Sequence, residues 1–201
     1  MLALSVLAVA LTAATSTMAH PMARSSTNPA CAGFGPGATD TLLGFSIGAI
    51  NTTLPNANLT GAPIVVNSAG AFSDITVWRL GTWAQYSYPL EYTDKFSLEN
   101  GTLILTGNDG AKPARATTVD PGNSLDFSSL DDGSTDPKEG AQIYCVVPSS
   151  TERALIAVNG DTDSFALCQS SFENVVFYKP APDRGYDINT CYPVKLQVVF
   201  Y

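Results

Sequence analysis

Apolar and polar residues alternate along most of this chain in short runs, each closed by a turn residue. In Pro193–Tyr201, the residues Val194, Leu196, Val198 and Phe200 fall on one face at period two, with Lys195 and Gln197 on the other. The same alternation marks Leu43–Ile50, Pro63–Val66, Phe72–Trp78, Ala116–Val119, Ser124–Phe127, Gln142–Val147, Ala154–Val158 and Ser164–Cys168. Lys95–Leu105 reads as a hairpin around Asn100-Gly101, because Asn-Gly suits the two left-handed positions of a type I′ turn. Asn159-Gly160 is a second such turn. No stretch carries the 3.6-residue periodicity of a substantial helix. About a dozen short strands separated by regular turns predict an all-β fold, either a sandwich or a trefoil-like barrel in one domain.

The pattern changes at the N-terminus. Met1–Ala19 has an apolar core from Leu2 to Leu11, then small polar residues, with Thr17 and Ala19 before an expected cut. This is the layout of a secretory signal peptide, and the apolar run is shorter than the roughly 20 residues a spanning helix needs. Residues 20–41, rich in Ser, Gly, Pro and Ala, predict a flexible arm, and 42–201 the β-rich domain. The alternating C-terminal strand does not resemble the apolar tail of a lipid-anchor signal. The expected product is secreted, without a membrane span.

Four cysteines, Cys31, Cys145, Cys168 and Cys191, then suggest two staples. Cys168 and Cys191 bracket one strand and its polar return loop and are expected to pair. Cys31 is left for Cys145, tying the arm to the domain. No C-x-x-C occurs, so redox catalysis and zinc ribbons gain no support.

Charge removes further classes. Ten Lys and Arg against eighteen Asp and Glu give a net charge of −8, dispersed along the chain. Phosphate backbones are bound by clustered basic residues, so no nucleic-acid partner is expected. His20 is the only histidine. Cleavage after Ala19 would place it at the N-terminus, but a copper-binding histidine brace needs a second His. Ser-His-Asp and Cys-His catalysis have no imidazole in the mature domain. No cofactor or metal is expected and no catalytic residue can be nominated; a glycoside hydrolase working with two carboxylates stays open.

Three clusters merit attention as candidate sites. Trp78, Trp83, Tyr86, Tyr88 and Tyr92 crowd one region containing both tryptophans; such rings either fill a core or form a platform on which sugar rings stack. Asp131-Asp132-Gly133-Ser134-Thr135-Asp136 with Glu139, and Asn159–Asp163, offer oxygen ligands for calcium but lack EF-hand spacing and read first as solvated loops. Asn51, Asn58 and Asn100 each open an Asn-x-Thr sequon at an expected turn, making them candidate glycosylation sites.

Phe45–Ile50, Ile64–Phe72, Asn100–Leu105 and the closing Cys191-Tyr-Pro-Val-Lys-Leu-Gln-Val-Val199 together resemble secreted fungal cell-wall proteins. The closing segment is similar to the four-cysteine domain of the PIR wall proteins, and the layout to the phialide-type wall proteins of filamentous fungi. The glutamine-containing repeats through which PIR proteins attach to glucan are missing. The resemblance implies a β-rich fold, a place at the fungal surface, wall polysaccharide or other wall proteins as partners, and no catalytic residues. The expectation is therefore a non-catalytic structural or interaction protein of the wall or extracellular matrix, with a carbohydrate-binding protein as the alternative.

Overall fold

The computed structural model describes residues 28–72, 75–82, 92–107, 113–130, 140–149 and 153–200. The expected signal peptide and His20 lie outside these residues. The described strands are β1 (Leu42–Asn51), β2 (Ala62–Phe72), β3 (Ile75–Thr82), β4 (Tyr92–Glu99), β5 (Thr102–Gly107), β6 (Ala114–Ala116), β7 (Asp126–Leu130), β8 (Tyr144–Val147), β9 (Leu155–Val158), β10 (Phe165–Ser170), β11 (Glu173–Tyr178) and β12 (Tyr192–Val199). The only helical elements among them are single 3-10 turns at Pro29–Cys31 and Ile188–Thr190. The all-β expectation holds, and of its two architectures the barrel is the one formed.

Hydrogen bonds run from β1 through β4, β5, β6, β7, β3, β11, β10 and β12 and return to β1, closing a nine-strand barrel. Three further strands complete the sheet: β2 bridges β1 and β3, and β9 then β8 extend from β12. Every named strand pair is antiparallel. Closure matters because an open edge offers unpaired N–H and C=O groups to other chains.

Period two decides which residues fill the barrel. Phe45, Ile47 and Ala49 of β1, Trp78 and Leu80 of β3, Phe96 and Leu98 of β4, and Val194, Leu196 and Val198 of β12 share one continuous core. Burying each large apolar side chain contributes about 1.5–3 kcal/mol. The two Asn-Gly turns form as expected, with left-handed φ at Asn100 (48°) and Gly101 (78°), and at Asn159 (52°) and Gly160 (77°). Strand β2 is longer than its apolar run suggests, because it pairs with β3 as far as Phe72 across a bulge between Ser68 and Gly70. Gly48 has no room for a side chain: a Cβ there would collide with the carbonyl oxygen of Thr60.

Two hairpins are buried on both faces. The outer face of β8–β9 presents Cys145 and Ala157, and the segment from Asn28 to Asp40 lies over it. Cys31 is bonded to Cys145, a sequence separation of 114. Thr39 and Val146 exchange backbone hydrogen bonds of 2.9 and 2.8 Å, which covers the β8 edge. The Asn28 amide donates to the Asn100 carbonyl at 2.9 Å. Within the expected arm, the described part is thus a packed cover. The outer face of β10–β11 presents Ala166, Cys168, Val175 and Phe177, and the 179–191 segment covers it with Tyr186 and Cys191. Cys168 is bonded to Cys191. Both pairings are those expected from the sequence.

Candidate functional site

The expected aromatic cluster divides. Trp78 points into the barrel, 7 % exposed, and its indole N–H donates to the Ser129 hydroxyl at 3.2 Å. Its inward position follows from alternation, since Trp78 and Leu80 share a phase. Trp78 is a core residue and presents no face to a sugar. Trp83, Tyr86 and Tyr88 lie outside the described residues, and for Tyr92 only the backbone, in β4, is described.

Of the two acidic clusters, Asp131–Glu139 lies outside the described residues. In the other, Asp161 Oδ1 accepts the backbone N–H groups of Asp163 (2.8 Å) and Ser164 (3.1 Å). Burial pulls the Asp161 carboxyl upward, but the Ser164 hydroxyl, these two backbone N–H groups and Lys179 together outweigh it and hold it below the usual range. Lys179 lies 3.4 Å from Asp161, and Lys195 3.3 Å from Asp163. The Asp161 carboxylate organises a turn.

Two sequons form compact Asx turns. Asn51 Oδ1 accepts from Thr53 N–H (2.8 Å) and hydroxyl (3.0 Å), and Asn58 Oδ1 from Thr60 N–H (3.0 Å) and hydroxyl (2.9 Å). Asn58 and Asn100 are exposed and Asn51 is half-buried. A broad groove of about 770 Å³ runs beside Asn58, lined by Leu59, Arg153 and Gln197 among others.

The richest chemistry lies on the opposite phase of β3 and β7. Arg79 pairs with Asp126 across these strands, and because Trp78, Leu80, Leu125 and Phe127 point inward, both charges lie on the outer face. The Arg79 Nε is buried and makes no hydrogen bond. Asp126 Oδ1 accepts the Ser124 hydroxyl at 2.6 Å, and its carbonyl accepts the Thr117 N–H at 2.9 Å. Burial pushes the Asp126 carboxyl above its ordinary value, against the smaller opposing pulls of the Ser124 bond and the Arg79 charge.

Two loops close the remaining sides. The loop 117–124 is tied to β11 by Gly122 N–H donating to the Tyr178 carbonyl (2.8 Å) and Tyr178 N–H to the Asn123 carbonyl (2.9 Å). The cover segment 179–191 brings Arg184 against Gly122, where a Cβ would stand 3.0 Å from the guanidinium Nε. Gly122 also has φ +87°, so the position suits glycine for two reasons. Tyr186 packs on Phe177 with ring centroids 3.9 Å apart and planes tilted by 35°, and accepts the Ala181 N–H at 2.8 Å, fixing the cover's course. The result is a cleft of about 280 Å³ walled by Arg79, Arg184, Asp126, Ser124, Thr117 and Phe177. Two guanidiniums, one carboxylate and several hydroxyls can bind a polar ligand. Asp126 is the one carboxylate in its wall among the described residues, whereas hydrolysis of a glycoside by the usual route takes two.

Sequence reasoning missed this cleft. Its only local trace is a charge on the polar phase of each strand, Arg79 in Thr76–Leu80 and Asp126 in Ser124–Phe127. Among the described residues no group of three or more His, Cys, Asp or Glu could hold a metal ion, and no helix is long and apolar enough to cross a membrane. No known protein family matches the chain, and no characterised protein or solved structure is significantly similar to it.

Proposed function

We propose that this chain is a secreted, non-catalytic structural or interaction protein of a fungal cell wall or extracellular matrix. The observation that carries the reading is the use of both disulfides as clasps, each holding a cover segment on the outer face of a closed barrel. Disulfides persist in oxidising compartments, and two of them are consistent with an extracellular location. The signal-peptide pattern of Met1–Ala19 and the resemblance to fungal wall proteins support the same address, and Asn58 and Asn100 supply exposed glycan acceptors. Wall polysaccharide or other wall proteins are the partners.

The test is fractionation of the tagged full-length protein from a fungal host into cytosol, medium and wall. Recovery from medium or wall with all four cysteines oxidised, and a mobility shift on enzymatic deglycosylation, is the expected result. Recovery from the cytosol with free thiols would overturn the proposal.

The second reading, a carbohydrate-binding protein, is favoured by the polar cleft. It rests on Arg79, Asp126 and Arg184 and no longer involves Trp78. Retention on insoluble β-glucan, chitin or cellulose tests it for neutral polymers.

A further inference from the structure

We infer that the cleft between Arg79, Asp126 and Arg184 binds one acidic sugar residue, a hexuronate unit carried on an otherwise neutral glycan. The inference rests on the carbohydrate-binding reading and names the ligand that the cleft selects. Four observations lead to it.

The first is unused donor capacity. A guanidinium presents five N–H donors in a planar fork matched to a carboxylate, and the buried Arg79 Nε has no acceptor in the protein. That nitrogen is sealed from solvent, so a ligand meets Arg79 where its side chain forms part of the cleft wall. Arg184, held over Gly122 on the far wall, supplies a second fork. The second observation is Asp126 on the same floor. A bare anion between the arginines would be repelled by this carboxylate, whereas a polyol donates hydroxyl hydrogens to it. The ligand therefore carries both an anionic group and hydroxyls.

The third is size. About 280 Å³ falls just below the roughly 300–1,000 Å³ of sites for drug-sized molecules, room for one sugar ring with Phe177 as its apolar wall. The fourth is the net charge of −8. Its field opposes a dense polyanion, which leaves an isolated acidic residue on a neutral chain as the occupant. The carboxylate lies against Arg79 and Arg184, and the ring hydroxyls meet Asp126, Ser124 and Thr117.

The experiment is an NMR or calorimetric titration of the full secreted protein with glucuronate, glucose and inorganic phosphate, using Arg79→Gln, Arg184→Gln and Asp126→Ala variants. Glucuronate is expected to bind at least tenfold more tightly than glucose or phosphate. Either arginine variant should weaken glucuronate about tenfold or more, and Arg184, being exposed, can be replaced without threat to folding. Asp126→Ala should weaken glucuronate while strengthening phosphate, because it removes the repulsion that rejects a bare anion. Equal binding of phosphate and glucuronate, no binding of glucuronate, or glucuronate binding untouched by Arg184→Gln would each overturn the inference. Retention on a neutral polysaccharide that Arg184→Gln weakens, with no binding of glucuronate, would overturn it while leaving the broader carbohydrate-binding reading intact.

Discussion

Arg79 and Asp126 face each other from adjacent strands, yet the Arg79 Nε is buried without a hydrogen bond while Asp126 takes its hydrogen from the Ser124 hydroxyl. Opposite charges held beside each other and incompletely satisfied are costly to a fold and useful to a binding site.

The cost should be visible in the pH dependence of stability. Burial raises the folded-state value for Asp126 above the unfolded 3.8, so the unfolded chain releases this proton first. Stability from this group is present below the unfolded value and falls as pH rises through the folded one. Asp126→Asn should flatten that fall and raise the urea midpoint at pH 7. Denaturation curves from pH 3 to 7 check it; an unchanged slope would show that Asp126 is not the group responsible.

Trp78 behaves as core. Trp78→Ala should cost about 3–5 kcal/mol, whereas Trp78→Phe loses mainly the hydrogen bond to Ser129, about 1 kcal/mol. Urea unfolding of both variants gives the comparison. Any loss of polysaccharide retention in Trp78→Ala should then follow its unfolding, and Trp78→Phe should be retained like the parent. Loss of retention in a folded Trp78→Phe would restore Trp78 to the binding surface.

The disulfides should contribute unequally. Loop-closure entropy assigns about 4–5 kcal/mol to Cys31–Cys145, whose separation is 114, and about 3 kcal/mol to Cys168–Cys191, whose separation is 23. Paired Cys→Ala variants, unfolded in urea, should rank in that order. Losing Cys168–Cys191 should also loosen the cover that positions Arg184, weakening glucuronate binding before the barrel itself melts. The reverse ranking would mean that strain or residual structure in the unfolded chain dominates.

Tyr144 is fully buried, and its hydroxyl has no hydrogen-bond partner. Burial, with a smaller push from the Asp126 charge, drives its ionisation upward. Tyr144→Phe should therefore leave stability unchanged or raise it by about 1 kcal/mol. A loss above 1 kcal/mol in thermal unfolding would reveal an acceptor for the hydroxyl.

Much of the architecture was legible because its signals are local. Asn100-Gly101 and Asn159-Gly160 dictate their turns within two residues, and the alternation of Val194, Leu196 and Val198 dictates which face of β12 enters the core. The disulfide pairing also followed, since Cys168 and Cys191 bracket one hairpin return. Strand limits were less legible: Ser124 and Leu125 lead into β7, Ser124 bridging to Phe177 and Leu125 donating its N–H to Val176 of β11. The cleft was illegible for a related reason. Arg79 and Asp126 meet only through the register of β3 on β7, and Arg184 joins them only because a cover segment crosses the outer face. Trp78 shows the converse limit, since an aromatic cluster in sequence does not reveal which ring takes the inward phase.

The two clasps also sort the chain by what a single cut can do to it. The bridges are consecutive, one joining Cys31 to Cys145 and the next Cys168 to Cys191. A protease that nicks the backbone inside either loop leaves one covalent molecule, which separates only on reduction. A nick between Cys145 and Cys168, the stretch that carries β9, or just after Cys191, where β12 begins, divides the polypeptide into two pieces with no covalent link. Among the described strands, resistance to digestion therefore depends most on these two short passages of chain.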